Sequence, residues 1–407
     1  MKISQSDILK YRRTSLLFLE AILSNGGRLS KKFLVVISIM FSVTFISCRK
    51  EAQPIPEEVV DTLFPAEPNA VVKGLYLVNE GNMDMNKASL DYVDFTKGQY
   101  RRNVYNQANP EVTKGLGDVG NDIGVYGSKL YVIVNNSNKV EVLNVNTGKR
   151  IQQIDITNCR YITFSNGKAY VSAYLGTIGD PNSPNGIVAQ IDTGTLKEIK
   201  RIDVGRQPEE MAVVDNKLYV ANSGGYTPSN YEHTVSVIDL ATFTETKRID
   251  VGINLHRLKA DKYGDLYVTS RGDYGDIPSK LFVISTQTDR VKKTFDIAAG
   301  NLVISDDLAY IYSDEFNVIT GQSTVSYAML NVKDETLLTR KFITDGTDKL
   351  IKKPYGIAIH PITKDVFVTD ATDYITPGVL YCFDTSGKKK WSVQTGDIPA
   401  QFAFIYK

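Results

Sequence analysis

The 407-residue sequence predicts an all-β fold: a seven-bladed β-propeller whose C-terminal strand closes the first blade. Three observations carry this. A Leu-Tyr-Val-type step recurs seven times, at Leu75-Tyr76-Leu77, Leu130-Tyr131-Val132, Ala169-Tyr170-Val171, Leu218-Tyr219-Val220, Leu266-Tyr267-Val268, Ala309-Tyr310-Ile311 and Val366-Phe367-Val368. A second marker of the Val-Ile-Asp type follows each one: Tyr92-Val93-Asp94, Val142-Leu143-Asn144, Gln190-Ile191-Asp192, Val237-Ile238-Asp239, Val283-Ile284-Ser285, Met329-Leu330-Asn331 and Cys382-Phe383-Asp384. Four short strands at a period of roughly fifty residues form a unit too small to bury both faces of its sheet, so the units must stack in a ring. The third observation is closure. Six runs read as innermost strands ahead of the step: Asn121-Asp122-Ile123, Arg160-Tyr161-Ile162, Glu210-Met211-Ala212, Arg257-Leu258-Lys259, Asn301-Leu302-Val303 and Tyr355-Gly356-Ile357. The first blade lacks one. Its counterpart is Ile398-Pro399-Ala400-Gln401-Phe402-Ala403-Phe404 at the C-terminus, which leaves no open sheet edge.

The fourth unit shows the pattern most clearly. Pro208 to Val214 reads as the innermost strand, and Asn216 to Asn222 as an apolar-aromatic run. Thr234 to Leu240 alternates, and Arg248 to Gly252 ends in a turn-forming glycine.

The N-terminal part has a different composition. Lys31-Lys32 precede Phe33 to Ile46, an apolar run of the length found in signal peptides and short of a membrane span. Phe45-Ile46-Ser47-Cys48 resembles a lipoprotein signal-peptidase site, with Cys48 as the lipidated residue. Residues 1–48 are therefore read as a signal peptide and lipobox region, and a translation start near Leu29 fits the charged segment better than Met1. Residues 49–70 carry Pro54, Pro56, Pro65 and Pro68 with several acids, and are expected to form an extended tether. The propeller is expected over 71–407. Processing removes seven of the 47 basic and two of the 46 acidic residues, leaving 40 and 44, a net charge of −4. That balance argues against a nucleic-acid partner. Cys159 and Cys382 fall at non-equivalent strand positions of different blades, so they are expected as buried free thiols.

One face of the ring is predicted to do the work. The loops between second and third strands are long and rich in Asn, Asp, Gly and Tyr, as in Asn79 to Lys87, Tyr174 to Asn182, Asn222 to Tyr231, Ser270 to Asp276 and Asp370 to Tyr374. The turns of the opposite face, such as Asn146-Thr147-Gly148-Lys149, are short. Tyrosine supplies apolar area with a polar tip, and Asn and Gly supply adaptable hydrogen bonding, which suits a large polar ligand. Catalytic patterns are thin. The three histidines, His233, His256 and His360, have no zinc spacing, and neither a nucleophile elbow nor a phosphate-binding loop occurs. Glu209-Glu210 read either as paired acids or as caps of an inner strand. Trp391 is the sole tryptophan, so the Trp-rich blade docking of quinoprotein dehydrogenases is absent.

Several runs resemble known propellers. The Val-Ile-Asp, Arg-Ile-Asp-Val-Gly and Lys-Leu-Tyr-Val-Ala-Asn steps resemble YncE-type propellers. Leu77 to Met83, Gly117 to Asp122, Asn222 to Tyr226, Asp250 to His256 and Trp391 to Ala400 are similar to BtuG-type surface lipoproteins, a likeness covering about Gly74 to Phe404. It implies a protein lipid-anchored in the outer membrane and facing the cell exterior. Such a protein captures cobalamin or a related corrinoid and passes it to a TonB-dependent outer-membrane transporter, without catalysis. Cobalamin is then the transported ligand, and no catalytic cofactor or metal is expected. From the loop geometry, the ligand-binding face is expected to include Asn79, Asn82, Asn121, Arg160, Tyr174, Tyr226, Arg271, Tyr274 and Tyr374. The alternatives are a lactonase-like propeller hydrolase using carboxylates at the channel mouth, and an interaction scaffold that binds no small molecule.

Overall fold

The computed structural model describes residues 58–225, 227–228 and 230–407. Expectations for residues 1–48, Cys48, Tyr226 and the first part of the tether lie outside the described residues. Within them, seven antiparallel sheets each follow chain order from the channel outward, with one exception. In the first blade the innermost strand is Pro399–Tyr406, followed by Val72–Asn79, Ser89–Asp94 and Gln99–Arg101. Pro399–Tyr406 pairs antiparallel with Val72–Asn79, so the C-terminus closes the ring as the sequence predicts.

The seven-fold markers have a packing cause. In Lys129–Val134, Leu130, Val132 and Val134 pack toward the first blade with Tyr76, Val78, Ala403 and Ile405. The alternate residues Tyr131 and Ile133 pack toward the third blade with Ala169, Val171 and Ile187. A strand buried on both faces has no polar side, so it reads as an unbroken apolar run. The tyrosine adds a link between blades. Tyr76 Oη donates to the Val145 carbonyl at 3.1 Å, Tyr219 Oη to Asp289 at 2.8 Å and Tyr267 Oη to the Val332 carbonyl at 3.1 Å, each on an outer turn of the following blade. The outer strands, such as Arg150–Asp155 and Lys197–Asp203, face solvent and are charged.

The tether differs from expectation at its C-terminal end. Val60–Thr62 adds a fifth, outermost strand to the first blade by pairing with Gln99–Arg101. Arg101 forms an ion pair with Glu58, and Phe64 stacks on Trp391 with centroids 5.8 Å apart. The Leu63 N–H donates to the Gly98 carbonyl at 2.8 Å, and a Cβ at Gly98 would lie 1.9 Å from the Phe64 carbonyl oxygen. Residues 58–70 therefore belong to the folded ring; their prolines lie at its surface, where no ladder hydrogen bond is lost. Cys159 and Cys382 are buried free thiols, as expected. Burial pushes the Cys159 thiol up to about 12.

Candidate functional site

The site is built by one repeated backbone device. In four blades the innermost strand places two residues opposite one at its mouth end: Arg160-Tyr161 opposite Ser172, Glu209-Glu210 opposite Ala221, His256-Arg257 opposite Thr269, and Tyr355-Gly356 opposite Thr369. The second and first blades slip register at Asn121 and Ala400. Such bulges leave a residue outside the ladder and re-aim its side chain. Where the opposing residue is Ser or Thr, its hydroxyl secures the bulge. Ser172 Oγ accepts the Tyr161 N–H at 3.1 Å and donates to the Glu209 carbonyl of the next blade at 2.9 Å. Thr369 Oγ1 likewise accepts the Gly356 N–H at 2.7 Å and donates to the Pro399 carbonyl at 2.6 Å.

The bulged residues converge with the long loops on a cavity of about 450 Å³ at the channel mouth. Its wall includes Asn121, Arg160, Tyr161, His256, Arg257, Asn301 and Tyr355 from innermost strands, Tyr312 from within the second strand Leu308–Asn317, and Glu80, Tyr174, Arg271, Tyr274 and Tyr374 from strand ends and loops. The volume lies in the small-molecule range.

Behind this wall, Glu209 is almost wholly buried and holds three of the wall's residues together. Its carboxylate takes Arg160 Nη2 at 3.0 Å, Arg271 Nη1 at 3.2 Å and the Tyr174 hydroxyl at 2.7 Å. Burial opposes its ionisation, but the two arginines and the tyrosine outweigh it and hold its pKa below the ordinary carboxylate value. Glu210, one residue on, points along the ring instead. It accepts the Leu258 N–H at 2.9 Å and Lys259 Nζ at 2.5 Å in the next blade. Asp122 does the same for the Ile162 N–H at 2.9 Å. Glu209 thus clamps the mouth from behind and Glu210 links two blades; they are not two acids facing one substrate.

Glu80 receives the Tyr355 hydroxyl at 2.8 Å. Burial pushes its carboxyl up to about 7, against the pull of that bond and of Arg160 and Arg257. His256 Nε2 lies 2.9 Å from Tyr161 Oη. Burial, and then Arg271, Arg257 and Arg160, hold the imidazole well below its ordinary pKa, so it is neutral. Among the described residues, no group of three His, Cys, Asp or Glu side chains is arranged to hold a metal ion.

Of the residues predicted from sequence, Asn121, Arg160, Tyr174, Arg271, Tyr274 and Tyr374 meet at this cavity. Tyr274 and Tyr374 share a left-handed backbone, with φ of 60° and 62°, uncommon for an aromatic residue and frequent at functional loops. Asn79 is a correction. It is fully buried between the strands of the first blade, and its Nδ2 donates to Asp91 at 2.8 Å and Ser89 at 3.0 Å, so no ligand reaches it. Asn82 does not line the cavity; its amide donates to the Tyr374 carbonyl and ties the first-blade loop to the seventh. The reading of the sequence missed Glu80, Arg257 and Tyr312. For Arg257 the available signal was the hydroxyl residue after the marker step, Thr269, which stands opposite its bulge; Glu80 and Tyr312, after and within second strands, left none.

A seven-bladed β-propeller with a polar, aromatic-walled cavity at one end of its channel is the class of protein that fold and site define. The chain belongs to the family described as a domain of unknown function, DUF5074, whose pattern matches residues 73–404. The sequence matches no curated protein. Three solved structures resemble the fold. A hypothetical selenium-binding protein from Sulfolobus tokodaii is 11% identical with a TM-score of 0.58, over 84% of this chain and 96% of its own. A quinonprotein alcohol dehydrogenase-like protein from Bacteroides thetaiotaomicron VPI-5482 is 15% identical with a TM-score of 0.55, over 83% and 79%. Kuenenia stuttgartiensis hydrazine synthase is 16% identical with a TM-score of 0.51, over 65% and 76%. At these identities the likeness is one of fold alone.

Proposed function

We propose that the protein is a non-catalytic receptor, lipid-anchored through Cys48 in the outer membrane and facing the cell exterior. It captures cobalamin or a related corrinoid and passes it to a TonB-dependent outer-membrane transporter. The observation that supports this best is the mouth itself, where amides, tyrosines and arginines from several blades converge on one cavity. A corrinoid is larger than that cavity. It would lie across the mouth with its amide-bearing periphery against the tyrosines and one arm inserted. The rim supports a docking role. Met83, Leu175, Ile277, Ile319 and Ile375 stand exposed on loops of five blades around the same opening, an apolar margin suited to a protein partner. Glu209 and Glu210, the adjacent acids that a hydrolase would use as a pair, are both committed to partners, which favours binding over hydrolysis.

The test uses the chain from Arg49 to Lys407 mixed with cyanocobalamin. Gel filtration followed at the corrin's visible absorbance should show colour travelling with protein, and calorimetry should give one site. Tyr274→Ala should weaken binding about tenfold, the scale of a buried aromatic contact, with little change in melting temperature. Clean separation of colour from protein at micromolar concentration refutes the cobalamin assignment.

A further inference from the structure

We propose that the floor of the mouth is an anion seat centred on Arg257, shaped to take a phosphate oxyanion carried by the ligand. Arg257 is only 6% exposed and lines the cavity. Its two Nη atoms donate to the Gln401 side-chain oxygen at 2.9 and 2.6 Å, in the amide orientation that satisfies both groups. Its Nε is buried with no hydrogen-bond partner, and its planar face lies 5.2 Å from the Tyr161 ring centroid. Of the carboxylates whose charge it feels, Glu210 and Asp122 are turned away to backbone N–H groups of neighbouring blades, and Glu80 takes the Tyr355 hydroxyl. A guanidinium buried against a neutral amide and a ring is costly unless something anionic completes it.

The carboxylates of the mouth are bonded to other groups. Arg160 and Arg271 share Glu209, Glu80 takes the Tyr355 hydroxyl, and Asp314 and Glu315, which also line the cavity, take Lys353 Nζ and the Ser279 N–H, each at 2.9 Å. A planar fork with an unused N–H matches a tetrahedral oxyanion better than a lone ammonium does. The seat depends on the mouth being a ligand site, as proposed above, and not on the ligand being a corrinoid. If cobalamin is that ligand, the group that fits is the phosphodiester of its nucleotide arm.

Two ligands and two proteins separate the claims. The parent and Arg257→Met are titrated calorimetrically with cyanocobalamin and with cobinamide, which lacks the phosphodiester. Arg257→Met should bind cyanocobalamin about ten- to a hundredfold more weakly, the span of one charged hydrogen bond, and cobinamide as the parent does. Equal losses for both ligands, or no loss for either, overturn the seat. If the parent binds neither corrinoid, the cobalamin reading fails and the seat is judged without it. Dimethyl phosphate and, separately, inorganic phosphate should then raise the melting temperature of the parent but not of Arg257→Met; equal shifts in both overturn the seat. A response to inorganic phosphate alone would assign the seat to the free ion, and a response to the diester to a ligand arm. Arg257→Gln serves as the second variant should Arg257→Met fail to fold.

Discussion

Replacing Glu209 by Gln tests the ion cluster behind the site. The change keeps the shape and removes the charge that Arg160, Arg271 and Tyr174 share. Stripping one partner from a buried ion cluster costs about 3–5 kcal/mol, because the remaining charges stay buried. The two arginine side chains retain 16% and 14% exposure, so water at the mouth relieves part of this and about 3 kcal/mol is expected. For a ring of roughly 350 residues, an unfolding entropy near 2.1 cal/mol/K per residue gives about 0.7 kcal/mol per kelvin. Glu209→Gln should then melt roughly 4 °C below the parent at pH 7 by calorimetry. The effect also has a pH signature. Glu209 is more acidic folded than unfolded, so its contribution is present above the unfolded carboxylate value, about 4.3, and is lost as pH falls through the lower folded value. The gap between parent and variant should therefore narrow toward pH 3. A variant melting within about 1 °C of the parent at pH 7, or a gap independent of pH, would refute the clamp.

Two further outcomes follow from the geometry. Glu80 titrates near 7, facing Tyr355, Arg160, Arg257 and Glu209. An anionic ligand should therefore bind more weakly as the pH rises from 6 to 8 and the carboxylate charges, and Glu80→Gln should flatten that profile. Deleting Asp397 to Lys407 removes the innermost strand of the first blade and exposes the edge of Val72–Asn79. The truncated chain should lose its cooperative melting transition and associate in gel filtration; melting like the parent would contradict closure by this strand.

The blades were legible because their cause is local. Tyr131 and its counterparts sit in strands buried on both faces, and that burial writes itself directly into the residue run. Closure was legible for the same reason, as one inner strand was missing in front of Leu75 and present after Asp397. The site was only half legible. Asn79 reads like its neighbours in an Asn- and Gly-rich stretch, yet it is the last residue of Val72–Asn79 and turns into the sheet toward Asp91. Arg257 lay in plain view within an inner-strand motif, but its aim depends on a two-against-one bulge opposite Thr269, whose hydroxyl accepts the Arg257 N–H at 3.0 Å. A register break is a relation between two strands, and no window on one strand contains it. The hydroxyl residues that follow the marker step, in Tyr170-Val171-Ser172, Tyr267-Val268-Thr269 and Phe367-Val368-Thr369, are the one trace it leaves in the sequence.

The repeated bulge also divides what is asked of a strand. Six of the seven inner strands carry such a break, and Asn301–Ser305 of the sixth blade pairs without one. A residue outside the ladder is released from the alternation that fills the sheets' packed faces, so its side chain answers to its neighbours at the mouth, Arg160 to Glu209 and Asn121, His256 to Tyr161. One strand thus carries two scripts, an apolar one written by the stacking of blades and a polar one written at the break.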